Sequence, residues 1–571
     1  MIDEKIKKVI QESLHKLKVV ALEIALEHPD EISHGDFSTN VALVYSKQLG
    51  MSPRKIADEV IQYIEQNKPE EVEKMEVAGA GFINFFLSNK FFKKNVVEVV
   101  RQAGDFGKNK VLAGKKVMVE YTDPNPFKQF HIGHLMSNAI GEAIARVTEF
   151  QGAEVVRACW QGDVGLHVAK TIWGVQAKIK DSTFFPEKAS TKEWGEAYSF
   201  ASEKYDSDEN AKKEINDLNK KIFEKSDAEV NRLYDIGRKV SLEHFEVLYK
   251  KLGTKFNYYF FEGIEGREGK PIVEEYLKHG VFEKSEGAIV YRGDKHGLHT
   301  RVFINSQGLP TYEAKELGLN RKKFELEPHL EKSIIITAHE QSDYFKVVLR
   351  AMGEIFPEIA KRTKHIAHGM LRFASGKMSS RTGNVVTGES LVEAVEAMVH
   401  KKLEERELET NEKNKIAELV AVGAIKYSIL KQAIGSDIIY DFDKSISFEG
   451  DSGPYLQYSY VRAMSVLKKA ESMKIEPHVG KEADALEISL LERLLARFPE
   501  TVERAGMEYA PHYIATYLTE LASAFNGYYA QNQIANSEDK TSSYKVALTT
   551  AFATTMKNGL WLLGIQVPEH M

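Results

Sequence analysis

The middle of this chain predicts a doubly wound, Rossmann-like α/β fold built on a parallel sheet, and three observations carry that prediction. Residues 115–121 form an apolar, strand-like run that Asp123-Pro124-Asn125-Pro126 breaks. Leu135, Ala139, Ile140, Ala143, Ile144 and Val147 then recur with helical spacing. Further strand-like runs at 153–158 and 333–337 alternate with helical segments as far as residue 380, the pattern of strands joined by crossover helices.

The flanking regions read differently. Residues 1–110 predict a separate amino-terminal α/β domain, with amphipathic helices over 4–28 and 52–66, a turn at 35–40 and a strand over 81–87. Gly104, Gly107 and Gly114 mark a linker. The central domain is expected over 111–450. It carries a charged, mostly helical insertion at 180–300 that ends in strand-like segments at 257–261 and 287–291. The charged stretch 401–415 reads as a solvated helix face. Residues 451–571 predict an all-helical bundle, because Leu490, Leu491, Leu494, Leu495 and Phe498, then Leu518, Leu521, Ala522 and Phe525, keep a 3.6-residue period.

Composition narrows the class. With 571 residues, 43% hydrophobic and 28% charged, the chain is expected to form several globular domains. No apolar run reaches membrane-spanning length, and the amino terminus mixes acids with bases, unlike a signal or transit peptide, so a cytoplasmic protein is expected. The single cysteine, Cys159, excludes an intramolecular disulfide and a Cys-rich zinc knuckle, and it reads as a small buried residue. A net charge of −6 leaves room for a local basic track, so nucleic acid stays open as a partner.

Two segments carry chemistry. His131-Ile132-Gly133-His134 falls in the first turn of a helix that follows a strand, where free backbone N–H groups and the helix dipole favour an anion. The imidazoles can donate to phosphate oxygens, and Gly133 leaves room for a flat ligand. Gly376-Lys377-Met378-Ser379-Ser380-Arg381-Thr382-Gly383-Asn384 is a small-residue loop whose lysine can meet developing negative charge on a phosphate. It is not a P-loop, because the upstream glycine is missing.

Together, His-Ile-Gly-His and Lys-Met-Ser-Ser resemble the paired signatures of class I aminoacyl-tRNA synthetases. Glu120-Tyr121-Thr122-Asp123-Pro124-Asn125, Gly162-Asp163-Val164-Gly165, Pro310-Thr311-Tyr312, Gly453-Pro454-Tyr455-Leu456-Gln457-Tyr458 and the closing Leu562-Leu563-Gly564-Ile565 narrow the resemblance to the arginyl-tRNA synthetase family. It runs nearly end to end and takes in Gly79-Ala80-Gly81-Phe82-Ile83-Asn84.

That resemblance implies an ATP-dependent ligase that activates L-arginine as arginyl-adenylate and transfers it to the terminal adenosine of cognate tRNA(Arg). It implies that His131, Gly133, His134, Lys377, Met378 and Ser379 bind ATP, with His131, His134 and Lys377 catalytic, and that Mg²⁺ accompanies the nucleotide without a protein-held zinc. Glu120, Asn125, Tyr312, Glu316 and Gln341 match the arginine pocket, with Tyr312 and Glu316 one helical turn apart. The family usually has aspartate where this chain has Glu316, and many relatives carry asparagine near Cys159. Phe82 and Asn84 are the residues expected to contact tRNA in the amino-terminal domain, and the carboxyl-terminal helices resemble the anticodon-binding bundle. There Tyr509, Tyr513 and Tyr517, followed by Tyr528-Tyr529, offer aromatic faces for unpaired bases or serve as buried packing. A monomer is the family expectation. Another class I synthetase and a non-catalytic tRNA-binding paralogue are the competing readings.

Overall fold

The structure, a computed structural model, describes residues 2–21, 23–180, 184–373 and 387–571. It divides into two compact units, one of Met1–Gly107, Arg462–Thr501 and Glu520–Asn558, the other of Lys108–Val461, Val502–Thr519 and Gly559–Met571. The carboxyl-terminal helices Gly453–Ser472, Leu490–Met507, His512–Gln531 and Ser542–Leu562 contribute residues to both units. Their expected apolar stripe is buried from Leu491 onward, whereas Leu490 is 42% exposed.

In the first unit, Phe82–Leu87 is the central strand of a three-stranded antiparallel sheet, between Phe37–Thr39 and Val72–Ala78. Helices Ile2–Lys16 and Pro53–Gln66 bury Ile6, Ile10, Leu14, Ile56 and Val60 in one core with Ile83 and Phe85. Two expectations are corrected here. The helix expected over 4–28 stops at Lys16, because Lys18 turns left-handed (φ 61°) and Val19 N–H donates back to Leu14 O. The turn expected at 35–40 contains an edge strand, in register Phe37 with Phe85 and Thr39 with Ile83. Gly35 (φ 89°) admits it, since a side chain there would lie 2.6 Å from Phe85 O.

The second unit contains the predicted parallel sheet. Its strands are β1 (Lys116–Glu120), β2 (Glu154–Gln161), β3 (Tyr258–Phe261), β4 (Leu330–Ala338) and β5 (Thr363–His368), in spatial order β5-β4-β1-β2-β3. Every neighbouring pair is parallel. Residues 258–261, read from sequence as the end of the insertion, are thus the edge strand of the main sheet. Met118, Val119, Ile334, Ile335 and Ile336 are buried, as a sheet covered on both faces requires. Strand order reverses between β1 and β4, which opens a crevice at their carboxyl ends.

Helix α1 (Ile132–Phe150) returns from β1 to β2. Below the crevice, the Tyr121 hydroxyl donates to Glu142, whose carboxyl burial pushes up but Arg146 and Arg157 bring below the usual range. Gly141 makes this approach possible, because a methyl group there would overlap the Tyr121 ring. The insertion adds helices Thr191–Ser207, Glu209–Glu224 and α2 (Ala228–Leu252), and beyond β3 lies a small antiparallel sheet that includes Ala288–Tyr291. The stretch 401–415 is not one helix. Helix Gly388–Lys402 ends, Leu403 turns inward, and Thr410–Leu430 starts a new, largely buried helix.

No described helix is long and apolar enough to cross a membrane. Gly141→Ala is expected to overpack the junction of β1 and α1 at a cost of about 1–3 kcal/mol. A lowered thermal midpoint by circular dichroism would agree, and an unchanged midpoint would contradict the close approach.

Candidate active site

Sequence sets the crevice floor. After Glu120 the chain cannot continue as strand, because Pro124 and Pro126 withhold donors and Thr122, Asp123 and Phe127 all take positive φ (81°, 46° and 68°). Each such residue costs on the order of 1–3 kcal/mol and persists only where its surroundings hold it. Here Ser137 Oγ accepts from Thr122 N at 3.0 Å and donates to Ile336 O of β4 at 2.9 Å. Asn138 donates to Thr122 Oγ1, Asp123 accepts from Trp160 N, and Ser241 accepts from Phe127 N. The exit from β1 is therefore tied to α1, β2, β4 and the helix Ala228–Leu252.

The histidines stand at the start of α1. His131 is the N-cap: its Nδ1 accepts from Gly133 N at 3.1 Å, while His134 Nδ1 accepts from His131 N at 3.3 Å. The rings stack with centroids 3.5 Å apart. Burial, reinforced by Lys128, holds the pKa of both below the usual histidine range, that of His134 well below. A neutral ring whose Nδ1 accepts carries its proton on Nε2. Both imidazoles are thus hydrogen-bond donors at Nε2, beside the positive end of a helix. A side chain at 133 would lie 3.0 Å from the His131 ring, so anything larger than glycine would press on that ring. Gly388 N donates to Phe130 O at 2.8 Å, which fixes the chain's return from the segment that holds Lys377, Met378 and Ser379. Those three residues lie outside the described ones.

Acids gather on the same carboxyl edge. Glu120 ends β1, Asp163 follows β2 and Glu262 follows β3, all buried. Helix α3 (Tyr312–Leu326) brings Glu316, Asn320 and Lys323 to one face. Lys323 Nζ, fully buried, lies 2.9 Å from Glu120 Oε2. Asn320 Nδ2 donates to Glu316 Oε1 at 2.9 Å. Burial pushes the Glu316 pKa up to about 7; Lys323 opposes the rise and Glu120 adds to it. Desolvation and Glu120 raise Asp123 well above the usual carboxylate range.

A second group lies alongside. Lys315 pairs with Glu262 and sits over the Tyr312 ring, 5.2 Å from its centroid. Asn125 Oδ1 and Glu262 Oε2 both approach Gly162, where a side chain would collide with them. Tyr312, 59% exposed, is anchored through its carbonyl, which accepts from Tyr344 at 3.0 Å.

The structure therefore brings Glu120 and Glu316 together in the buried cluster, and Asn125 and Tyr312 into the adjoining group. Gln341 is exposed in the short helical turn that follows the carboxyl end of β4. Phe82 and Asn84 belong to the first unit. There Asn84 accepts from Ser38 Oγ at 2.7 Å, and Phe82, 43% exposed, lines with it a cavity of about 540 Å³ that also takes in His28, Gly79 and Glu27. Cys159 is buried, and burial pushes its thiol up out of the nucleophilic range. Tyr517 is buried, Tyr513 is tied to Glu508 and Arg504, and Tyr509 lies under Lys364. Tyr529, in the first unit, is 41% exposed.

Sequence reasoning missed Asp123, Glu262, Lys315 and Lys323. Positions 312, 316 and 320 share one helical face, a spacing that would have pointed to Asn320.

A five-stranded parallel sheet with a His-x-Gly-His helix start at its switch point is the catalytic fold of a class I aminoacyl-tRNA synthetase. Residues 95–442 match the family model "tRNA synthetases class I (R), catalytic domain", residues 456–571 the "DALR anticodon binding domain" and residues 4–87 the "Arginyl tRNA synthetase N terminal domain". The chain belongs to the arginyl-tRNA synthetase family. It is 31% identical to the arginine–tRNA ligase of Clostridium acetobutylicum over 99% of this chain and 100% of that protein. It is 32% identical to that of Fusobacterium nucleatum over 97% and 96%. Its fold matches the arginyl-tRNA synthetase structure from Thermus thermophilus with a TM-score of 0.80, covering 100% of both chains at 24% identity.

The neutral state of His134 is directly measurable. Its imidazole ¹⁵N resonances are expected to stay unchanged as pH falls from 8 to 6, and a titration near the ordinary value of 6.5 would contradict the burial argument.

Proposed function

We propose that this chain is an arginine–tRNA ligase whose two half-sites share the carboxyl edge of the parallel sheet. The observation that carries the reading is the pairing of neutral, donating imidazoles at the start of α1 with a buried acidic cluster at the end of β1. One half suits an anion and the other a cation, as ATP and arginine demand.

Arginine's carboxylate attacks the α-phosphorus of ATP in line and pyrophosphate leaves. The 2′-hydroxyl of the terminal adenosine of tRNA(Arg) then attacks the adenylate's carbonyl carbon, and AMP leaves. The protein supplies positioning and charge stabilisation. His131 and His134 donate to phosphate oxygens, and Gly133 admits the adenosine. Lys377, with Met378 and Ser379, meets charge developing on the departing pyrophosphate. Mg²⁺ enters as part of the MgATP substrate, bound through phosphate oxygens. Glu316 and Glu120 meet the guanidinium, Tyr312 forms a wall, and Asn125 and Gln341 complete the pocket. Phe82 and Asn84 take a tRNA base in the first unit. In sequence terms, residues 1–110 contact tRNA, 111–450 catalyse, and 451–571 read the anticodon. The enzyme acts as a cytoplasmic monomer.

Selectivity follows from the acceptors. A buried set built for a planar fork of donors is left unpaired by other side chains, which can discriminate by about 10⁴. ATP–pyrophosphate exchange tested with each amino acid, with and without tRNA, is expected for arginine alone and to require tRNA. Exchange with another amino acid would overturn the reading. In Lys377→Ala, adenylate formation should fall about 100-fold or more while arginine affinity changes little. Equal losses in both would remove Lys377 from the chemistry.

A further inference from the structure

The charges facing Glu316 can be accounted for element by element. From its own helix, Asn320 donates to it, and Lys323 is paired with Glu120. From β1 and the loop beyond it come Glu120, already matched by that lysine, and Asp123, which burial and Glu120 drive towards its protonated form. After β3 stands Glu262, which has its own cation in Lys315. From helix α4 (Ser342–Ile355) comes Tyr344, whose hydroxyl is committed to the Tyr312 carbonyl. Among the described residues, Glu316 and Asp123 are the carboxyls of the cluster without a paired cation, and Asp123 is already driven towards its protonated form, which leaves Glu316 as the one poised to take a cation.

The polar atoms around it are also incompletely used. Glu120 Oε2, Lys323 Nζ and Asn320 Oδ1 are buried, and among the described residues none makes a hydrogen bond of good geometry, although the first two form an ion pair by distance. Two of these three atoms are acceptors, and a guanidinium brings five donors. Leaving such atoms unmatched costs about 1–3 kcal/mol each, so the cluster favours a ligand that supplies donors and one positive charge.

We propose that Lys323 is the resident counter-ion of the arginine subsite, neutralising Glu120 so that the cluster is short of one positive charge, which the substrate's guanidinium supplies to Glu316. The inference rests on the arginine-ligase reading above. Lys323 is a positioning residue: it sets the charge that the substrate meets and does not take part in bond making. Without it, Glu120 and Glu316 would share the incoming cation, or one would hold a proton and withdraw from binding. With it, each carboxylate has one cation and the site accepts a single guanidinium.

Lys323 acts on the charge state of Glu316, so its test is a pH profile. Protonated Glu316 cannot pair with a cation. The wild-type KM for arginine should therefore fall as pH rises towards 7 and level off above it. Removing the ammonium in Lys323→Met should move that bend to higher pH, by about one unit or more. Glu120→Gln leaves Lys323 uncompensated and should move the bend to lower pH, while Lys323→Arg should restore the wild-type profile. A purely structural lysine would change KM or thermal stability and leave the bend in place. If Lys323→Met does not fold, the Glu120→Gln profile decides. A bend unmoved in the folded variants, or moved the same way in both, overturns the proposal. Failure of the arginine-ligase reading looks different, because arginine would then support no exchange in the wild type at any pH.

Discussion

The constraint on which the site depends is the burial of carboxylates at the carboxyl end of a parallel strand. An ion taken from water costs several kcal/mol even after relaxation, and that cost is offset only by a partner of opposite charge or by a proton. Glu120 has the ammonium of Lys323, Glu262 that of Lys315, and Asp123 is driven towards its neutral form. Much of α3 is organised by this demand. Its buried face carries Glu313, Glu316, Asn320 and Lys323 among its leucines, which a helix tolerates only where those groups answer one another.

The phosphate side meets the opposite constraint. Two imidazoles crowd the first turn of a helix, and both are held neutral by burial and by Lys128. Each uses Nδ1 to cap the helix, so the same geometry that secures α1 orients Nε2 as a donor. Helix capping and ligand readiness are one arrangement. Gly133 is part of it, since a larger residue there would press on the His131 ring across the turn.

Much of this was legible in the sequence for definite physical reasons. The apolar run ending at Glu120, the prolines after it and the helical period from Leu135 locate a strand, a break and a helix, and these place the His131 to His134 segment beyond the carboxyl end of a strand. Glu316 and Tyr312 could be joined because a spacing of four leaves few arrangements in a helix. Lys323 could not, because Lys322-Lys323 reads as an ordinary exposed basic pair, and only the approach of α3 to β1 shows that one of the two is buried. Lys18 hid the end of the first helix for a similar reason, since a left-handed lysine has no local sequence mark. Residues 258–261 read as part of the insertion because periodicity identifies a strand without naming its neighbour, which is β2.

Until arginine arrives, the site is short of one positive charge. Calorimetric titration of arginine into the enzyme–tRNA complex at pH 7, repeated in buffers of different ionisation enthalpy, counts the protons exchanged on binding. With the Glu316 carboxyl near half-protonation at that pH, binding is predicted to release about half a proton. No proton release, or proton uptake, would contradict the account.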